Sequence, residues 1–470
     1  MTIGRRRDLK LAEKNFKEGL MNIVPVIRDL INREDEYRRV LKQRFLDSLI
    51  PEFERGIRLF LEWKKQYKRL QELNREMNRL SREFKFANTS LVERAKRVKQ
   101  EAEITKKRVK ELEMEIEKIE MKMPNWLHPE VPIGVGDEYE KPINYVLKPK
   151  VSRNIVDSFK KLYPDADFEI VDNEPLHHYN LVGTYIDQNI AGEVATSRFY
   201  YIFNELVILN LALSLYAIEF FLKKGYGNIL MIPPYMMRRS IEERITYFEA
   251  FQDTIFKIED DELILIPTSE HPIVAYFRNK TFNHTELPLR IIAWSPCFRK
   301  EAGAHGKDTK GIFRVKQFHK VEIHSITRKD EDIEEVFRLT RDIQEFLKTL
   351  ELPNRAVVVP SGDMDRRAML QIDIQTWFPG QGQYRETHSI ATVGTWISEK
   401  LKIKYRLQNN KKEYVRNVYA TGVAVERQIS AIVENHYDPI KNVVRVPTAL
   451  QKYTLGIKEI PISKETMHEN

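Results

Sequence analysis

The residues best suited to chemistry are densest between positions 295 and 322. This segment holds Arg299 and Arg314, whose planar guanidinium forks grip a carboxylate or phosphate through two parallel hydrogen bonds, as a lysine cannot. Glu301 follows Arg299 by two positions, so a continuing strand puts both on one face, where a carboxylate accepts hydrogen bonds from an exocyclic amine. Phe318 adds a flat surface on which a base can stack. Two forks, a carboxylate and an aromatic face suit an anionic, nitrogen-rich ligand such as ATP. A lone Arg-x-Glu would instead be read as a solvated hairpin with self-paired charges.

Three further groups have suitable types. In Thr268-Ser269-Glu270 a hydroxyl beside a carboxylate can hold an ammonium group, although alone the tripeptide is an ordinary turn. Glu386 and Ser389 are oxygen donors at a spacing that could share a cation such as magnesium, which needs only one or two protein oxygens when phosphates supply the rest. Arg427 stands at the head of an apolar helix, 429–435, and could reach a terminal phosphate or simply face solvent. No Ser-His-Asp or Cys-His set competes for a nucleophilic role.

Strands and helices must hold these groups. Strand-like runs at 291–298 and 312–323 flank a polar loop with Gly303, Gly306 and Gly311, which predicts a long hairpin. A mostly apolar helix at 199–224 leads to a strand at 229–232. A short strand at 263–267, a helix at 332–350 and a strand at 356–359 complete a mixed pattern beyond residue 150, that of an α+β domain.

The N-terminal part differs. Residues 1–50 look helical, with Pro25 bending them, and carry no motif. From 51 to 123 two long helices are expected. Leu91, Ala95, Val98, Ala102, Thr105, Val109, Leu112, Ile116, Ile119 and Met123 keep steps of four and three, and Trp63, Tyr67, Leu70, Leu73, Met77, Leu80 and Phe84 follow with one slip. A turn at 87–89 with a capping box from Ser90 to Glu93 predicts an antiparallel coiled-coil hairpin, reaching about 50 Å. Between 64 and 110 it carries 16 Lys and Arg against 6 Glu, more than the surplus of +8 of the whole chain. A solvated face or a dimerisation arm is the plain reading of such a stripe; nucleic acid is the other.

Residues 124–150, with Pro124, Pro129 and Pro132, read as a linker, which gives a helical region 1–123 with its arm at 51–123 and a catalytic domain 151–470. With 470 residues, 42% of them hydrophobic, a substantial core is available. No apolar run is expected to be long enough to span a bilayer, and Cys297 alone permits neither an intrachain disulfide nor a multi-cysteine zinc site, so no zinc is expected. A cytoplasmic protein is the expectation, without a membrane partner.

The whole order of segments resembles the seryl-tRNA synthetases, a family of class II aminoacyl-tRNA synthetases, from about residue 51 to 453. The run Phe298-Arg299-Lys300-Glu301 through Arg314 and Phe318 to Glu322 is similar to motif 2, the helix and strand of 199–232 to motif 1, and Thr421-Gly422-Val423-Ala424-Val425-Glu426-Arg427 to motif 3. The resemblance implies an antiparallel-sheet catalytic domain and a homodimer. It implies ATP at Arg299, Glu301, Arg314, Phe318, Glu386, Ser389 and Arg427, with magnesium on Glu386 and Ser389. Arg299, Arg314 and Arg427 would neutralise transition-state charge. The amino acid would lie against Thr268, Glu270, Arg299, Glu322 and Thr421, the last two binding the serine hydroxyl. Met77-Asn78-Arg79-Leu80-Ser81 is similar to the family's arm tip, which implies that Lys64, Lys65, Lys68, Arg69, Arg75, Arg79, Arg94, Arg97 and Lys99 grip tRNA(Ser).

The chain departs from the family at Lys316, where histidine is usual, at Asn417-Val418-Tyr419, at Ala391-Thr392 and over 395–400. Most of these are expected to ring the amino-acid side of the site. They leave a second reading, a paralogue that binds RNA or protein through its arm without charging tRNA.

Overall fold

The computed structural model describes residues 26–83, 89–247, 252–301 and 308–462. The chain divides into two compact units, 22–126 and the remainder.

In the smaller unit, helix α1 (Ile50–Glu83) packs along helix α2 (Thr89–Glu120). Leu73, Leu80, Val98 and Ala102 bury themselves in the seam, flanked by Leu70, Met77, Leu91 and Ala95, and Val109, Leu112, Ile116 and Ile119 continue it. These are the positions that the steps of four and three select. Helix α2 begins ahead of Ser90, which therefore lies inside it and is not its cap; Phe84, Ala87 and Asn88 fall outside the described residues, as do residues 1–25 with Pro25. At the base, Trp126 is buried, its ring centroid 5.3 Å from that of Tyr37 in an edge-on arrangement, and Tyr37 donates to the Pro124 carbonyl at 2.7 Å. Two residues of the expected linker are thus core of this unit.

The larger unit is built on one eight-stranded sheet. Its elements, in chain order, are β1 (Lys141–Val146), α3 (Asn204–Lys223), β2 (Ile229–Met231), α4 (Glu270–Tyr276), β3 (Leu289–Phe298), β4 (Gln317–Thr327), α5 (Asp332–Thr349), β5 (Asn354–Val358), β6 (Leu370–Phe378), β7 (Gln383–Gly394), β8 (Arg416–Ala424) and α6 (Val425–His436). The strand order is β1-β5-β6-β7-β8-β4-β3-β2, with every pair antiparallel except β3 and β2. Strand β1 corrects the expected boundary at 151, because it pairs with β5 as an edge strand. Pro142 hid it from a pattern reading, since proline is tolerated only where one side of the strand lacks a partner.

Helix α3 corrects a second expectation. Its 20 residues are long and apolar enough to cross a membrane, an 18-residue stretch having a mean hydropathy of 1.8, but 44% of that stretch is buried in the protein. Asn210 and Ser214 lie in that buried face, where Asn210 donates to Glu426 at 3.2 Å, so it is a core helix of this unit. The paired region of the hairpin is also shorter than predicted. Strand β4 starts at Gln317, leaving Ile312 to Lys316 irregular, and Gly303 and Gly306 lie outside the described residues.

A candidate adenylate-forming site

One cavity of about 530 Å³ opens on the sheet beside the hairpin. Thr268, Glu270, Arg299, Glu301, Arg314, Phe318, Glu386, Ser389, Thr421 and Arg427 all line it. Strand alternation explains much of this convergence. Phe318, Lys320 and Glu322 occupy successive same-face positions of β4, and Tyr419 and Thr421 do so on β8.

Two bulges adjust the count. On β7 the register shifts so that His388 faces Ile374 while Glu386 faces Gln375, leaving Thr387 as the extra residue. Residues three apart normally point to opposite faces; the bulge lets Glu386 and Ser389 share one. On β8, Gly422 is the extra residue, and Thr421 comes opposite Glu322.

Glu301 reaches its place differently from the sequence expectation. Strand β3 ends at Phe298, and Glu301 takes a left-handed conformation with φ 54°, from which Oε2 accepts from Arg314 Nε at 2.5 Å. Arg299 donates through Nε to the Pro267 carbonyl at 3.1 Å, and its guanidinium carbon lies 5.3 Å from the Phe318 ring centroid. Arg427, in the first turn of α6, donates to the Glu386 carbonyl at 3.0 Å and lies 4.8 Å from the Phe313 ring. The same ring has Arg385 at 4.3 Å, and Arg385 pairs with Asp308 of the hairpin loop at 2.7 Å. The head of α6 is fixed by buried Glu426, which accepts from Tyr200, from Asn210 and from the backbone of His319.

At the other end, Glu270 opens helix α4. Burial alone would raise its carboxyl, but the Arg367 guanidinium, 3.0 Å from Oε1, outweighs that and holds it below the usual range. Asp365 behaves likewise: burial opposes its charge, yet Arg367 brings it down to about 2. Glu322 is fully buried beneath this end, paired with Lys320, and accepts from the Thr268 hydroxyl at 3.5 Å. Burial pushes its carboxyl up to about 7 despite Lys320.

The oxygens that could hold a cation are Glu386 Oε and Ser389 Oγ, with Asp373 across the strand pair from Ser389. Loss of solvent and the neighbouring Glu386 charge push the Asp373 carboxyl up, so the spot favours added positive charge. Hard oxygens around surplus negative charge fit magnesium.

Lys320, Asp365, Arg367 and His271 also line the cavity and were not singled out from the sequence. Lys320 had a signal, the alternation Phe318, Lys320, Glu322; Arg367 and Asp365 sit in the loop between β5 and β6 and had none. Of the departures, Tyr419 alone lines the cavity. Ala391 and Thr392 are buried in the sheet, Thr392 donating to Asp332 at 2.6 Å, and Ser398 accepts from Asn417 at 2.5 Å in the packing of the 396–401 helix. Lys316 donates to Thr196 at 3.0 Å. The expected ring of changes around the amino acid therefore reduces to one residue.

On the arm, all nine basic residues named above are exposed. Arg69 pairs with Glu101 at 2.7 Å and Arg94 with Glu76 at 2.6 Å across the hairpin. Lys64, Lys65, Lys68, Arg75 and Lys99 have no carboxylate partner among the described residues.

The sequence matches the model of the class II core domain of tRNA synthetases (G, H, P, S and T) over residues 254–436. It is 37% identical to the serine–tRNA ligase of Hyperthermus butylicus, covering 94% of this chain and 98% of that one. It is also 37% identical to that of Pyrococcus horikoshii, covering 97% and 98%. The crystal structure of the seryl-tRNA synthetase from Pyrococcus horikoshii complexed with ATP superposes with a TM-score of 0.87 at 36% identity, over 93% of this chain and 99% of that one. A cytoplasmic serine–tRNA ligase from Naegleria fowleri in complex with AMP gives 0.79 at 27% identity, over 95% and 100%. On its sheet, its motifs and these full-length likenesses, the chain belongs to the serine–tRNA ligase family of class II aminoacyl-tRNA synthetases.

Proposed function

We propose that the chain activates serine with ATP and transfers the seryl group to the 3′-terminal adenosine of tRNA(Ser). The observation that carries this is the convergence of three arginines, Glu301 and Phe318 with Thr268 and Glu270 in a single cavity. In this reading the adenine stacks on Phe318 and its exocyclic amine donates to Glu301, which leaves Arg314 to turn toward phosphate. Arg299 orients the serine carboxylate and an α-phosphate oxygen together, bringing the reacting atoms into line.

The carboxylate oxygen attacks the α-phosphorus, the bond to pyrophosphate breaks, and seryl-adenylate forms. Arg299 stands where negative charge spreads, and Arg314 and Arg427 join it once the ligand draws them from their glutamates; cations held there lower the barrier. Magnesium on Glu386 and Ser389 would supply further neutralisation of the phosphates. The tRNA hydroxyl then attacks the adenylate carbonyl, and AMP leaves. Thr268 and Glu270 receive the ammonium group, while Thr421 and Glu322 receive the serine hydroxyl, which favours serine because analogues without a hydroxyl leave those groups unpaired.

Pyrophosphate exchange with a panel of amino acids tests this. Exchange with serine alone is expected; no exchange with any amino acid, alongside intact tRNA binding, would sink it.

The arm's unpaired lysines are assigned to tRNA phosphates. Removing each should lower the slope of log affinity against log salt by about 0.7 to 0.9. A homodimer, working in the cytoplasm, fits the exposed apolar side chains of Leu211 (52%) and Leu215 (56%), one turn apart on α3, and of Leu230 (52%) on edge strand β2. Sedimentation of Leu215→Asp should show monomers, and an unchanged mass would remove this face from the interface.

A further inference from the structure

The amino-acid end of the cavity has a polar floor to which the reaction above gives no role. Its centre is Arg367, 6% exposed. Nη1 donates to Glu270 Oε1 at 3.0 Å and to the Ile245 carbonyl at 3.2 Å, Nη2 donates to Asp365 Oδ2 at 2.6 Å, and Nε donates to Asp365 Oδ1 at 3.1 Å. The Tyr419 hydroxyl donates to Asp365 Oδ2 at 2.9 Å, and its ring lies 5.5 Å from the Arg367 guanidinium carbon. All four side chains line the cavity.

Two consequences follow for Glu270. One of its oxygens is committed to Arg367, whereas Oε2 has no hydrogen-bond partner among the described residues, the His271 imidazole Nε2 standing 3.9 Å away. One guanidinium between two carboxylates also leaves a negative charge over, in a place where an unpaired charge is costly. A substrate ammonium at Oε2 removes that imbalance. A planar fork meets the two carboxylates through separate nitrogens in fixed directions, a geometry that a lysine's single ammonium reproduces only in part.

We propose that Arg367, held by Asp365 and Tyr419, is a positioning residue that presents Glu270 Oε2 to the α-ammonium of the amino acid and thereby sets the site's demand for a free amine. This rests on the serine-activating reading above. It adds residues outside the Thr268–Glu270 segment and makes amine recognition depend on a loop between β5 and β6.

The test uses the full chain in serine-dependent pyrophosphate exchange, with KM measured separately for serine and ATP. It adds inhibition by glycerate, which keeps the carboxylate and hydroxyl of serine but lacks the amine, and ATP binding by calorimetry. Arg367→Met should raise the serine KM about 10- to 100-fold, the value of a charge-assisted hydrogen bond. The ATP KM and ATP affinity should stay within about 2-fold, as for a loss confined to one substrate. Glycerate inhibition should hold, so the preference for serine over glycerate collapses by the same factor. Arg367→Lys should recover part of the loss, and Asp365→Asn should move in the same direction. If Arg367→Met no longer binds ATP and has unfolded, Arg367→Lys and Tyr419→Phe carry the test, the latter with about a 2- to 5-fold rise in serine KM alone. A serine KM that is unchanged or falls, or serine and glycerate weakening together, overturns the proposal. Wild-type enzyme that shows no serine-dependent exchange overturns instead the reading on which it rests.

Discussion

At the phosphate end of the cavity the arginine side chains stand partly in water, Arg314 at 37% and Arg427 at 25% exposed, and each pairs with one glutamate. At the amino-acid end the Arg367 side chain, taken alone, is 8% exposed and is gripped by two carboxylates. The difference is one of exchangeability. A half-exposed ion pair contributes about 0–1 kcal/mol, so Glu301 and Glu386 can release their arginines to a phosphate at little cost. A walled-in guanidinium cannot change partners without leaving a buried charge bare. One end is built to be rearranged by its ligand, the other to wait for it unchanged.

That contrast can be broken most forcefully at Asp365. Asp365→Ala should cost about 2–3 kcal/mol of unfolding free energy, because the buried Arg367 guanidinium loses its hydrogen bonds to Asp365 while Glu270 still balances its charge. Denaturant melts would check this, and a loss below about 1 kcal/mol would put the floor in the same class as the surface pairs. The carboxyl of Asp365 is lowered from 3.8 to about 2, so its contribution is full above the first value and disappears as the pH falls through the second; the gap between wild type and variant should close there.

Arg299→Ala comes next, with kcat for exchange expected to fall about 10²- to 10³-fold, the usual loss for one preorganised donor, while stability changes little. Glu322→Gln should have a smaller effect, of about 10-fold at most on the serine KM. Its value lies in the pH profile. With the wild-type carboxyl at about 7, the ionised acceptor for the serine hydroxyl forms as the pH rises, so serine affinity should improve through neutrality. In the glutamine variant that inflection should vanish; if it persists, another group titrates. The smallest expected change is in the stability of Glu301→Ala, below about 1 kcal/mol by thermal melting, since the Arg314 it leaves behind stands partly in water.

The two ends also differ in how far the sequence reveals them. Arg299, Arg314, Phe318 and Arg427 have types and spacings that declare a phosphate and base site, and the coiled-coil seam is legible because its period is fixed by helix geometry. Glu301 was expected to share the Arg299 face through strand alternation, yet arrives there through a left-handed turn, a conformation that spacing does not encode. Strand β1 was hidden by Pro142 and by an edge position that imposes no alternation. Arg367 meets Glu270 across 97 residues of sequence, and nothing local to either residue announces the other. Contacts made by chain crossing, unlike those made by periodicity, become visible only once the sheet order is known.

The extra residue at Thr387 makes strand β7 a counting device. Upstream of it an even-numbered position, Glu386, takes the cavity side, and downstream an odd-numbered one, Ser389, does. Substitutions along β7 would alter one contact at a time, but loss or gain of a single residue there would trade the cavity side of the strand for its core side, sending Ser389 inward and His388 out. This segment should therefore accept changes of side chain and refuse changes of length.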